Sequence, residues 1–494
     1  MSEQPLNIAD RRELFVDHHL IDRLDGAELK LHEPRPAGPA LRFDQPWEGR
    51  FSGYPTVFRD GAKVRCYYRA WNKPTDHYAA VTCLAESPDG VTFHKPAFGL
   101  YDVGGTKQNN VILTCAEDMY THNFAPFIDT RPGVPDDERY KAVTRNYGLV
   151  FKRSGQRSDP MGLFAFASAD GVHWRKLRDQ PVMTEGKFDS HNIAFWSEQE
   201  GCYVCYLREV AGGDNYTGGT VRSIARCRSD DFVNWSKPEL MDMGDTPPEQ
   251  LYTNATQPYF RAPHIYIALP GRFFPGRRVL SPEEDEQLGV AMQPGGKDTY
   301  GADTADAVFL TSRGGTRYDR TFLEAFVRPG RDRRNWTSRC NYPACGVIQT
   351  AEDELSIYVE RFNTTAEKYL ERLTLRLDGF ASLHAGYAGG TMTSKPVTFT
   401  GSSLELNYAT SAAGHLRVAL HDENDQPIEG FGLDDCDVIR GDELARTVTW
   451  NGNADLSNLA GQPVRLRFEL KDADVFAFVF NAQRGIQSLR SASL

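Results

Sequence analysis

From residue 52 to about residue 385, runs of aromatic and β-branched residues alternate with short Ser/Asp/Gly punctuation. VRCYYRAW, YKAVTRNYG, YVCYLREV, IYIALPGRF and LSIYVERF have strand composition. One spacing then recurs: SPDGVTF (87–93), SADGVHW (168–174), SDDFVNW (229–235) and SRGGTRY (312–318), with RLDGFASL (376–383) as a fainter echo. Ser leads, an Asp/Gly turn sits in the middle and an aromatic takes the seventh place, which reads as strand, tight turn and return strand. Upstream of each unit's strands lie SGYPTVF (52–58), YTHNFAPF (120–127), FDSHNIAFW (188–196), LYTNATQPYF (251–260) and TSRCNYPACGV (337–347). Asn123, Asn192, Asn254 and Asn341 hold one place in that repeat. Five four-stranded units of roughly sixty to ninety residues predict a five-bladed β-propeller, in which radial repetition leaves few open edges.

Three segments stand outside the repeat. ELFVDHHLIDRL near the N-terminus is expected to supply a closing strand or an outer cover. Residues 271–305 form a polar insertion expected to project over one face of the ring, because long loops in compact domains are usually functional. After residue 385 the pattern becomes strict alternation, as in Leu404, Leu406, Tyr408 and Val464, Leu466, Phe468, typical of half-buried antiparallel strands. The expected organisation is all-β: a five-bladed propeller over 1–385 followed by a C-terminal β-sandwich over 386–494.

Composition narrows the function. A formal charge of −11 with no basic run argues against a nucleic-acid surface, which needs clustered Lys and Arg. The opening MSEQPLNIADRRELFVD has no basic and apolar leader, and no stretch is long enough to cross a bilayer. The chain as it stands is therefore expected to be cytoplasmic, or secreted if a signal has been removed. Nine cysteines scattered among apolar neighbours read as buried free thiols, and Cys202-x-x-Cys205 lacks the second pair that a structural zinc site needs.

PWEGRFSGYPTVF, FDSHNIAFW, EQLYTNATQPYFRAPHIYIALP and LELNYATSAAG carry a resemblance. Nearly the whole chain is similar to uncharacterised bacterial glycosyl hydrolases. A five-bladed propeller with a C-terminal sandwich resembles the invertase and fructanase type of glycoside hydrolase, and the propeller alone resembles the arabinanase and levansucrase groups. That resemblance implies catalytic carboxylates on inner strands around a central funnel. The first inner strand departs from it, with Tyr54 where an Asp is expected. Neoagarobiose-type hydrolases, a related propeller family, use a His as acid, which directs attention to His122 and His191.

Glycoside hydrolysis needs one group to protonate the leaving oxygen and another to attack or activate water. Asp189, beside Ser190, His191 and Asn192, is the candidate base or nucleophile; its alternative is an Asx cap on a turn. Glu249 is the candidate acid if apolar neighbours raise its pKa, the alternative being a loop glutamate. Glu209 is a weaker acid candidate, since adjacent Arg208 and Glu209 must point to opposite faces. Asp44, Trp47 and Glu48 share a turn before the first inner strand and are candidates for sugar contact, or else cap that turn. His122 and His191 suit hydroxyl recognition or proton transfer, or are ordinary strand-end histidines.

Tyr54 and the four asparagines are candidate substrate contacts. Arg69, Arg145, Arg208, Arg272 and Arg361 recur near second-strand ends, where they brace blade against blade or grip a carboxylated or sulfated sugar, and Arg339 is a further candidate substrate contact. No cofactor is expected, although the two histidines leave a divalent cation near the funnel open. The resulting expectation is a glycoside hydrolase, exo-acting on oligosaccharides, with carbohydrate as its partner and homo-oligomerisation open. Its rivals are a non-catalytic glycan-binding propeller and a polysaccharide lyase using His or Tyr.

Overall fold

The computed structural model describes residues 4–72, 79–115, 121–145, 162–212, 220–293 and 296–481. The chain divides into two compact units, Pro34–Thr374 and Met1–Glu33 with Leu375–Leu494.

The first unit is the five-bladed propeller. Blade I comprises Gly53–Asp60, Lys63–Ala70, Val81–Ser87 and Val111–Thr114. Blade II comprises His122–Ile128, Tyr140–Arg145, Leu163–Ser168 and Arg175–Lys176. Blade III comprises Ile193–Ser197, Cys202–Ala211, Val221–Ser229 and Glu239–Leu240. Blade IV is built on Gln257–Tyr259, Ala262–Ala268 and Leu310–Ser312, with Asp319 bridging Thr311 at its outer edge. Blade V comprises Pro343–Gln349, Glu354–Arg361, Tyr369–Arg376 and the early strand Arg35–Arg42. Each inner strand touches the next around the ring, and Cys345 of blade V pairs with Thr56 of blade I to complete it.

The repeated turns are held by their own side chains. Ser87 Oγ donates to Asp89 (3.0 Å) and receives the Gly90 amide (2.9 Å), and Ser168 does the same with Asp170 and Gly171 (3.1 and 2.9 Å). Tyrosines from the preceding blade lock onto these turns: Tyr358 donates to Gly90 O (2.5 Å) and Tyr67 to Gly171 O (3.0 Å). In blade III the glycine place is taken by Phe232 at φ 67°, whose ring packs on Phe127 of blade II.

Ring closure differs from expectation. ELFVDHHLIDRL belongs to the other unit, where Glu13–Leu14 pairs with Arg465–Asn481 and Ile21–Asp25 pairs with Gly390–Ser394. The closing strand is Arg35–Arg42, whose Pro36 and Pro39 restrict it to an edge. The echo at 376–383 accordingly supplies no fourth strand. Residues 4–33 and 377–385, expected within the propeller, lie in the sandwich unit.

That unit is organised on two long strands, Ser403–His421 and Arg465–Asn481, paired along their length. Leu404, Leu406, Tyr408, Leu466 and Phe468 are buried in one core with Phe15 and Phe478, as their alternation predicts. All nine cysteines are free thiols, and all but the half-buried Cys115 are buried. Among the described residues no helix is long and apolar enough to cross a membrane.

Candidate functional site

Four of the five inner strands are entered through backbone in the left-handed region. Tyr54 (φ 53°), Asn123 (φ 56°), Ala255 (φ 45°) and Asn341 (φ 67°) stand at or just before these starts. Asparagine tolerates this conformation, whereas an aromatic residue is strained in it, and such strain concentrates at functional sites. Tyr54 is held there by its amide, which donates to Glu360 Oε1 (2.8 Å).

The four repeated asparagines converge on the ring, and all are buried. Their amides serve the protein itself. Asn123 donates to Ser190 O (3.0 Å) and receives Arg69 (2.8 Å); Asn254 donates to His191 O (3.1 Å) and Tyr206 O (3.3 Å). Asn192 donates to Phe188 O (3.0 Å), and Asn341 to Ala305 O (2.8 Å) while receiving Arg361 (2.5 Å). Asn123 and Asn254 thus tie neighbouring blades together, Asn192 closes its own turn and Asn341 ties the entry of blade V to Ala305, and these bonds occupy their NH2 groups. Arg69, reaching from blade I to Asn123 of blade II, is one of the expected blade braces.

Asp189 is different. Its side chain is 58% exposed at the head of blade III. Oδ1 meets His122 Nε2 at 3.3 Å and Arg145 Nη1 at 3.2 Å, and Oδ2 meets Arg208 Nη2 at 3.4 Å. Burial would raise its pKa, but the His122 hydrogen bond and the Arg208 and Arg145 guanidiniums outweigh that and hold the carboxyl well below the usual range. Asp189 is an ionised group facing the axis.

The histidines are neutral. Burial lowers His122 to about 4 against the opposing pull of Asp189, and burial with Arg69 lowers His191 to about 3. His191 is spent on structure: Nε2 lies 3.1 Å from Thr56 Oγ1 and its ring meets Tyr54 edge-on at 5.9 Å. Of the two histidines, His122 is the one that meets Asp189.

Blades IV and V complete the site with Arg339, an expected substrate contact, and with Tyr252, which the sequence reading does not single out. Tyr252, whose carbonyl receives Ser190 Oγ (2.6 Å), lies under two guanidiniums, Arg208 at 4.9 Å and Arg222 at 5.4 Å from its ring centre. Burial would raise its pKa, yet Arg339 and Arg208 outweigh burial and lower it. Arg208 thus bridges Asp189 and Tyr252. Arg339 lies 4.5 Å over Tyr300, which arrives from the insertion, and Tyr342 packs on Tyr252 at 5.5 Å. The repeat held the missing clue to Tyr252, which stands two places before a repeated asparagine just as Arg339 does.

The 271–305 insertion is ordered rather than a bare loop over its described residues. Its short helix Pro282–Gln287 carries a capping box between Ser281 and Glu284, and Arg278 pairs with buried Asp285 at 2.6 Å. Ala291 joins a small apolar cluster with Phe51 and Trp71, and Tyr300 meets Phe51 at 5.8 Å. The insertion therefore packs on blade I beside the site.

Several candidates fall away. Glu249 is clamped by Arg272 (2.5 Å) and Arg320 (3.0 Å), and these hold its pKa down against burial, so it cannot be the acid whose pKa is raised. Trp47 is buried and donates to Asn110 (3.1 Å), and buried Glu48 receives Tyr68 (2.5 Å) and Lys95 (2.7 Å). Asp44 pairs with the same Lys95 at 2.8 Å. This trio ties a turn to blade I, and none of its recorded bonds reaches the Asp189 cluster. Glu209 folds back onto the Val210 amide (2.9 Å) on the face opposite Arg208. Among the described residues no group of three or more His, Cys, Asp or Glu side chains is placed to hold a metal ion.

No protein-family model matches the sequence, and no curated protein matches it. Solved structures similar to it include a BT0996–RGII complex, at 13% identity over 70% of this protein and 93% of that one, TM-score 0.45. Another is an N-acetylgalactosamine deacetylase from F. plautii in complex with blood group B trisaccharide, at 11% identity over 71% and 96%, TM-score 0.44. A third is a glycoside hydrolase family 43 arabinoxylan arabinofuranohydrolase from Bacillus subtilis in complex with cellotetraose, at 12% identity over 87% and 96%, TM-score 0.39. Glycoside hydrolases of propeller-type fold recur among these similar structures. At these scores no residue role passes from them to this protein, and the architecture rests on the strand pairing above.

Proposed function

We propose that the protein is a glycosidase-type carbohydrate-active enzyme whose site is the Asp189 end of the propeller axis. The observation that supports this reading is Asp189 itself, an accessible carboxylate kept ionised by His122, Arg145 and Arg208. Such a group is a weak base towards water but is well suited to face the positive charge that develops at the anomeric carbon, as nucleophile or as electrostatic partner. Tyr252, whose proton is loosened by Arg339 and Arg208, is the proton donor to the leaving oxygen. Packing of the insertion beside the site favours action at the ends of a glycan over internal cleavage.

A second reading draws on the same tyrosine. In a polysaccharide lyase Tyr252 would take the proton beside a uronate carboxylate while an arginine neutralises that carboxylate, and the glycosidic oxygen would leave with formation of a carbon–carbon double bond. One assay separates the readings: a panel of chromogenic glycosides and oligosaccharides, followed for reducing ends and for conjugated-alkene absorbance. Hydrolysis gives reducing ends alone, and Asp189→Asn lowers kcat/KM by at least about 100-fold. Activity untouched by Asp189→Asn removes Asp189 from the mechanism; absorbing products establish the lyase; binding without turnover leaves a glycan-binding propeller.

A further inference from the structure

The arginines at the axis are not equally satisfied. Arg145 and Arg208 share the oxygens of Asp189. Arg69 donates to Asn123 Oδ1 (2.8 Å) and Phe51 O (3.0 Å), and Arg222 donates to Gln250 Oε1 (3.1 Å). Arg339 makes no hydrogen bond or ion pair with any described residue, although it is half-buried and lies 4.5 Å over the Tyr300 ring. A guanidinium carries five N–H donors in a planar fork. Withdrawn from bulk water among aromatic rings, it gains a cation–π attraction but leaves those donors unanswered. Asp189 is a carboxylate partner of Arg145 and Arg208, whereas Arg339, on the side of blades IV and V, has no carboxylate partner among the described residues.

We propose that the substrate brings that partner: the sugar bound at this site carries an oxyanion substituent, a uronate carboxylate or a sulfate ester, and Arg339 binds it through its fork. The inference rests on the carbohydrate reading of the site and deepens it by naming the substrate class. The geometry fits a sugar whose charged substituent lies towards Arg339 and Tyr300 while its anomeric carbon lies towards Asp189, with Arg208 and Tyr252 between them. Arg339 stands at φ 59°, so its backbone is held in a strained conformation that aims this one side chain.

The test uses the full-length protein and ligand-observed NMR titration with four probes: glucuronic acid, its methyl ester, glucose and glucose 6-sulfate. Binding of a charged probe is expected to be at least about tenfold tighter than that of its neutral counterpart, the range for a hydrogen-bonded charge. Whether the carboxylate or the sulfate shows this preference identifies its source. Arg339→Gln is expected to abolish the preference at an unchanged unfolding midpoint. Arg339→Lys, which keeps the charge without the fork, retains part of it and carries the test should the glutamine variant fail to fold. Equal affinity for charged and neutral probes, no binding of any probe, or a preference that survives Arg339→Gln overturns the proposal. Charge-selective binding without turnover on any glycan leaves this inference standing and removes the enzyme reading. Turnover confined to neutral glycans does the reverse.

Discussion

The pair behind Tyr54 offers a test that needs no substrate. Glu360 and Lys368 are 6% and 4% exposed, and Lys368 Nζ lies 2.5 Å from Glu360 Oε2 and 2.6 Å from Asn363 Oδ1. Glu360 Oε1 holds the Tyr54 amide, and a Cβ on Gly53 would come within 2.4 Å of Oε2, so the carboxylate fills its space completely. At 2.5 Å and an effective dielectric of about 20, the gross attraction is roughly 7 kcal/mol, largely offset by the cost of drying two charges. The net worth of the pair is therefore small, but removing one partner strands the other. Lys368→Met and Glu360→Gln are each expected to cost about 3–5 kcal/mol, and the double variant only about 1 kcal/mol. Calorimetry of the full-length protein provides the assay, with the sandwich unit's transition as internal reference. At about 2 °C per kcal/mol for a unit of this size, the single variants lower the propeller midpoint by roughly 6–10 °C and the double by about 2 °C. Single losses below about 1 kcal/mol, or a double loss equal to their sum, would refute the reasoning.

Two further outcomes follow from the geometry. His191 and His122 have folded pKa values of about 3 and 4, below the ordinary 6.5, so the unfolded state takes up more protons between these values. Stability is complete above about pH 6.5 and is lost as pH falls through that window, and urea unfolding of His191→Gln across it should show a shallower loss by up to about 1.4 kcal/mol per pH unit; an unchanged slope contradicts the assignment. Gly171→Ala places a Cβ 2.3 Å from Arg65 Nη1 and 2.5 Å from Tyr67 Oη at φ +75°, and is expected to cost about 1–3 kcal/mol, read as a lowered midpoint with the sandwich transition unmoved.

What could be read from the sequence in advance was what is local. A Ser-x-Asp turn bonds within three residues, so SPDGVTF and SADGVHW announce themselves, and alternation such as Leu404, Leu406, Tyr408 reports one buried face. What escaped depends on partners distant in sequence. Arg35–Arg42, interrupted by prolines, looks like a loop until Tyr369–Arg376 is set beside it. Glu249 looked like a free acid because Arg272 and Arg320 arrive from elsewhere, and Trp47 looked like a sugar platform because Asn110 is remote. Asp189 was legible through its repeat, whereas Tyr252 was hidden as a mere neighbour of Glu249.

The early strands carry a consequence for biosynthesis. Ile21–Asp25 must wait for Gly390–Ser394, and Arg35–Arg42 for Tyr369–Arg376. At ordinary translation speed that interval is roughly tens of seconds, during which unpaired edges leave the ribosome with nothing to bind. The nascent polypeptide is thus a natural client for chaperones, and these strands wait for partners made more than three hundred residues after them.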